Sequence, residues 1–197
     1  MLNNRKMIDF VVGLLNSIPN NFYYYHNAEH TLYVLDKATE IAQHEHCSAV
    51  EIELLQVGAL WHDTGFIHIY EGHEEAGCDL VNKYLPDFGF TAEAIKIICG
   101  MIRATKVPQS PTNKLEQILA DADLEYLGTA NAAAIANKLF KERNSFNPHL
   151  TAAQFNQLQV SFLQNHRYFT SFCRENKEPL KQSYLKKLVH HQGYHFV

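Results

Sequence analysis

Apolar residues recur at helical spacing along almost the whole chain of 197 residues, and this periodicity narrows the choice of fold more than any other feature. Ile8, Val11, Val12 and Leu15 mark one face of a first helix over about 5–17, which ends before Pro19. Leu32, Leu35, Ile41 and Ala42 turn inward on a second, from about Ala28 to Glu45. The stretch "AVEIELLQVGALWHD" predicts a third over about Ala49 to His62, with Gly65 as its left-handed stop. A fourth follows His73 and ends at Pro86. A fifth, "TAEAIKIICGMIRAT", takes Thr91 as its N-cap, and a sixth, "KLEQILADADLEYLG", closes at Gly128. "NAAAIANKLFKER", a long helix from about Thr151 to Cys173 and a last one near Leu180 to His191 complete the chain. Two-residue alternation is scarce, so strand content should be minimal. The expected fold class is all-α: a single domain over 1–197, with a core at about 23–128 and additional C-terminal helices at about 130–192.

Hydrophobic residues make up 46% of the chain and charged residues 19%, enough apolar material for the core of one domain. The net charge of -4, with no basic run, argues against an extended nucleic-acid partner, though not against a local phosphate pocket. The cysteines Cys47, Cys78, Cys99 and Cys173 form no C-x-x-C pair, which suits free thiols in a reducing cytoplasm and disfavours a zinc ribbon. Asp9 interrupts the apolar N-terminal stretch and no small-residue cleavage site follows it, so that stretch reads as an amphipathic helix and not a leader. No run approaches ~18 apolar residues, so no membrane partner is expected.

Polar residues set among core-like neighbours are the candidates for chemistry. His26 and His30, four apart in "YHNAEH", sit one turn apart if both are helical, and two imidazoles then reach one small site. Two exposed histidines at a helix start are the plainer alternative. Asn27 stands where a zinc protease of the H-E-x-x-H type needs glutamate. In "ALWHDTG", His62 and Asp63 end an apolar helix, and burying an ionised aspartate costs several kcal/mol or more unless a partner or a cation offsets it. A hydrogen-bonded His–Asp pair closing the helix is the alternative. In "ILADADLEYLG", Asp123 has apolar neighbours one turn away on both sides, whereas Asp121 lies nearer the edge of that stripe; a salt bridge from Asp123 to Arg103 or Lys106 is the competing fate. Two imidazoles and two carboxylates make an N₂O₂ set suited to Mn, Fe, Ni, Co or Zn.

The order His30, His62-Asp63, Asp123 resembles the H…HD…D signature of the HD superfamily of metal-dependent phosphohydrolases. "YHNAEH" is also similar to the H-N-x-x-H start of cyclic-nucleotide phosphodiesterases, which share that helical core. The resemblance spans about residues 23–128. It implies a helical bundle of HD-domain type in which His30, His62, Asp63 and Asp123 hold one divalent metal ion (Mn, Ni, Co, Fe, Zn or Mg). It implies that His26 contacts substrate and protonates the leaving oxygen. The implied activity is hydrolysis of a phosphoester, of a nucleotide or a small phosphorylated metabolite, with Asp63 orienting the water. A di-iron oxygenase of the same fold and a non-catalytic nucleotide-binding module are the alternatives. Two departures stand out: Phe66 lies where several such enzymes carry a glutamate, and Thr105 where a second downstream histidine would serve a second metal.

Other residues carry weaker signals. His73 reads as a substrate contact or second-metal ligand and Glu74 as a general base, or both simply open a helix whose positive end favours acids. Arg103 and Lys106 are candidate phosphate holders. Tyr23, Tyr24, Tyr25 and Trp61 would line a base or sugar pocket or pack in the core, with Tyr25 as the substrate-binding candidate. His44, His46, His166, His190, His191 and His195 read as surface residues. A homodimer is an open expectation.

Overall fold

The computed structural model describes residues 5–17 and 22–193, with side chains through 190. Its helices are α1 (Arg5–Asn16), α2 (Ala28–His44), α3 (Ala49–Trp61), α4 (His73–Tyr84), α5 (Ala92–Ala104), α6 (Lys114–Asp123), α7 (Ala132–Phe146), α8 (Ala152–Asn165), α9 (Ser171–Asn176) and α10 (Glu178–Gly193). Short 3-10 turns occupy Thr64–Ile67, Leu85–Phe88 and Glu125–Gly128, and there is no strand among the described residues. The all-α expectation holds. No helix is long and apolar enough to cross a membrane. The expected stop at Pro19 and the side chains of His191 and His195 lie outside the described residues.

The helices gather into two compact units, one formed by α1 and residues 26–123, the other by residues 22–25 and 124–193. In the first, α3 is the axis. Every residue from Leu55 to Trp61 is buried, and α2, α5 and α6 pack around it. A helix apolar on all sides needs this encirclement, because no face of it is suited to water. Gly58 permits the close approach: a Cβ there would lie 3.0 Å from Met101 Cε and 3.4 Å from Leu119 Cδ2. A capping box between Ser48 and Glu51 starts the helix. On α2 the buried stripe is Val34, Ala38, Ile41 and Ala42; Leu32, expected inward, is exposed. On α1 it is Met7, Val11 and Leu15. Trp61 belongs to this core, its ring 6.2 Å from that of Tyr84.

In the second unit α10 packs against α7, α8, α9 and the Glu125–Gly128 turn. The long helix expected over about 151–173 is broken. α8 stops at Asn165, His166 is extended (φ -67°, ψ 137°), and Thr170 caps α9 by accepting the Cys173 amide at 3.3 Å. The reason is tertiary. Lys181 is fully buried, donates to the His166 carbonyl at 2.6 Å and pairs with Glu178 at 2.9 Å, so the carbonyl serves the ammonium instead of a helix ladder. His166, read as a surface residue, is accordingly buried, whereas His44, His46 and His190 are exposed. The sixth predicted helix also ends early, at Asp123, with the 3-10 turn completing the stretch to Gly128. A Cβ on Gly128 would meet the Lys177 carbonyl oxygen at 2.5 Å, so close packing explains that glycine.

Candidate metal centre

Three helix ends in the first unit carry the candidate site. Asn27, in an extended conformation, caps α2; its side-chain oxygen accepts the amides of Glu29 at 3.0 Å and His30 at 3.2 Å. His30 therefore lies in the first turn, while His26 precedes the cap. The two histidines do not share a helical face as their spacing suggested. Their rings stand nearly perpendicular, 6.1 Å apart.

His62 is the residue after α3 and is fully buried. Its Nδ1 donates to the Ala59 carbonyl at 2.7 Å; since a carbonyl only accepts, the proton sits on Nδ1 and Nε2 is turned toward the site. Asp63 follows at φ -100°, ψ 2°, and the chain enters the 3-10 turn Thr64–Ile67. Gly65 is not the left-handed stop its type suggested. A Cβ on it would lie 1.9 Å from the His73 carbonyl oxygen and 2.7 Å from the Gly77 amide nitrogen. The start of α4 thus rests directly on the turn after the doublet, which brings His73 to Asp63 and leaves Glu74 beside His73. Asp123 arrives from the last residue of α6.

Nitrogen and oxygen alternate around the resulting ring. His30 Nε2 is 3.1 Å from Asp123 Oδ1 and 3.5 Å from Asp63 Oδ2; His62 Nε2 is 3.2 Å from Asp63 Oδ2 and 3.6 Å from Asp123 Oδ1. Ligands at about 2.1 Å from one ion lie roughly 3.0–3.4 Å from their neighbours in octahedral or tetrahedral geometry, so these edges fit a single cation. His30, His62 and Asp123 each offer an atom within 4.8 Å of the others. His62 Nε2 and Asp63 Oδ2 are buried, and neither makes a directed hydrogen bond, even to the other. A divalent ion would satisfy both at once, and the donor set fits it.

The charges at the site shift one another strongly. Burial raises the Asp63 carboxyl, but attraction to His62 and then to the other histidines outweighs it and holds the group far below the usual carboxylate range. Asp123 is likewise held low, its burial overcome by His30 and His62. Burial alone would depress the His62 imidazole; Asp63 and Asp123 instead push it well above its ordinary 6.5. All three shifts express one attraction, between the imidazoles and the two carboxylates.

The remaining candidates divide. His73 donates from Nδ1 to the Tyr70 carbonyl at 3.1 Å, and its Nε2 lies 3.7 Å from both Asp63 Oδ1 and Glu74 Oε1. Glu74 is buried beside it. Phe66, buried, carries both rim imidazoles: His26 stacks on it at 4.2 Å and His73 at 3.8 Å. Residue type alone gave no sign of that role. Arg103, read as lying in an apolar helix, is exposed and engages Glu75 through two hydrogen bonds of 2.7 and 2.8 Å. It does not bridge to Asp123. Lys106 is exposed in the turn after α5. Tyr25 belongs to the second unit, where its amide donates to Glu142 at 2.8 Å and its ring packs on Tyr126. Asp121, expected at the edge of its stripe, is fully buried, whereas the Asp123 side chain is 15% exposed because it faces the ring of ligands.

Residues 27–125, half of the chain, match the family model described as HD domain. Among solved structures the chain is similar to a predicted HD superfamily hydrolase from an uncultured Thermotogales bacterium, with TM-score 0.64 and 23% identity over 95% of this chain and 89% of that one. It is also similar to a protein from Lactobacillus plantarum, with TM-score 0.65 and 14% identity over 98% of this chain and 100% of that one. At these identities the likeness concerns the fold. No curated protein matches.

Proposed function

The chain belongs to the HD domain family, and from that premise we propose that it is a metal-dependent phosphohydrolase acting on a nucleotide or a small phosphorylated metabolite. The observation that carries the reading is the buried ring of alternating nitrogen and oxygen atoms with edges of 3.1 to 3.6 Å. In this reading His30, His62, Asp63 and Asp123 hold one divalent ion, of Mn, Ni, Co, Fe, Zn or Mg. When bound, the ion supplies Lewis acidity, which acidifies water and offsets charge on a phosphoryl group.

The chain's own residues then divide the work. Asp63 faces two ways, Oδ2 toward the imidazoles and Oδ1 toward His73, and so orients a water between the ligand ring and α4. Glu74, buried within 3.7 Å of His73, takes the proton from that water. His26, outside the ligand ring, donates a proton to the departing oxygen, a step typically worth ~10²–10⁴-fold. His73, with Nδ1 committed to the Tyr70 carbonyl, presents Nε2 as its substrate contact. Thr105 is buried and its hydroxyl donates to the Ile102 carbonyl at 2.8 Å; it offers a neutral hydroxyl where a second downstream histidine would offer a nitrogen, so one ion is favoured over two.

The test is a panel of phosphomonoesters and phosphodiesters run with Mg, Mn, Co, Ni and Zn, with metal content measured on the same sample. Turnover that follows metal occupancy and disappears in Asp63→Asn is expected. Activity that survives stripping of the metal overturns the reading.

A further inference from the structure

We propose that Phe66 is a positioning residue: its buried ring fixes the orientation of the two rim imidazoles, His26 and His73, relative to the metal-ligand ring. The geometric part stands on ring contacts alone, and the catalytic part rests on the phosphohydrolase reading above.

Phe66 is 3% exposed, so it faces protein and not a ligand. His26 lies on it at 4.2 Å with 28° between the planes, and His73 at 3.8 Å with 19°. Both geometries are stacked, and the shared ring sets two imidazoles that come from different segments of the chain. Tyr70 closes the cluster edge-on, 5.3 Å from Phe66 and 6.0 Å from His26. Such pairs add an orientation-dependent attraction beyond burial, which favours one ring orientation over its competitors. The turn that holds Phe66 is itself fixed. Gly65 lies against the His73 backbone, and the Thr64 hydroxyl donates to the Trp61 carbonyl at 2.8 Å. Phe66 thereby ties the ring orientations at the rim to the same turn that carries Asp63. An aliphatic side chain of similar volume would fill the space without presenting a flat face. His26 and His73 would then sample other rotamers while the four ligand side chains stayed in place.

Two measurements test this. The first is the NMR position of the imidazole carbon-bound protons of His26 and His73, assigned with His26→Gln and His73→Gln. In the wild type the Phe66 ring current should move them upfield of exposed histidines such as His44; Phe66→Leu should abolish the displacement and Phe66→Tyr should keep it. The second is kinetic. Phe66→Leu should lower kcat by ~10–100-fold, the cost of misplacing a reacting group, with Mn affinity within about twofold of wild type. Phe66→Tyr should restore kcat. Ordinary imidazole positions in the wild type overturn the stack, and that readout needs no variant to fold. Wild-type kcat in Phe66→Leu overturns the positioning role. Absence of turnover in the wild type with every metal overturns the phosphohydrolase reading instead, and the stack is then decided by the resonances.

Discussion

At the scale of single residues, the candidate site is a set of buried polar atoms that need a counter-charge. His62 Nε2 and Asp63 Oδ2 lie 3.2 Å apart without a directed bond. Asp123→Asn keeps the size but removes a charge from the ring, and should weaken Mn binding by at least ~100-fold, measured by calorimetry, since even partners outside the ligand shell are worth 10–100-fold. Gly65→Ala tests the packing under the site. With the His73 carbonyl 1.9 Å from the added carbon, backbone must move, and a loss of ~1–3 kcal/mol in urea unfolding is expected together with reduced turnover. His30, the His62-Asp63 doublet and Asp123 were legible in the sequence because each is a polar residue in an apolar context. Gly65 and Phe66 were not, because their roles depend on what the fold sets against them.

At the scale of elements, helix ends do the placing. Asn27 caps α2 and accepts the His30 amide itself, so the cap and the candidate ligand are one local structure. Asn27→Ala should cost ~1 kcal/mol of stability and also weaken metal binding by loosening His30, measured by thermal melts with and without Mn. In the second unit, Lys181→Met removes the ammonium that holds the His166 carbonyl where α8 gives way to α9. A loss of ~1.5–3 kcal/mol is expected in urea unfolding, with metal binding by the first unit unchanged. Helical periodicity located nearly every element, since each amphipathic or apolar run must bury a face. It missed the break after Asn165, because nothing local to that stretch announces a buried lysine fifteen residues on.

For the whole molecule, protons and metal compete for one set of atoms. Without metal, His62 is held above its ordinary 6.5, so its contribution to stability is complete below 6.5 and is lost as pH rises through the raised value. Asp63 and Asp123 are held below their ordinary 3.8, so theirs is present above 3.8 and is lost as pH falls through the lowered values. The metal-free protein should therefore be most stable between about 3.8 and 6.5 as far as these groups decide it, and its Tm should fall on the alkaline side. Saturating Mn should remove that alkaline loss, because a cation takes over from the His62 proton and requires the imidazole neutral. The order of residues alone makes the chain helical, sets certain polar residues among core residues and marks where most helices begin. These follow from periodicity and capping, which are local. Folding in three dimensions adds that His30, His62, Asp63 and Asp123 form one alternating ring, that Arg103 is occupied by Glu75, and that one phenyl ring packs against two imidazoles. Those facts rest on distances between segments far apart in the chain, and packing alone sets them.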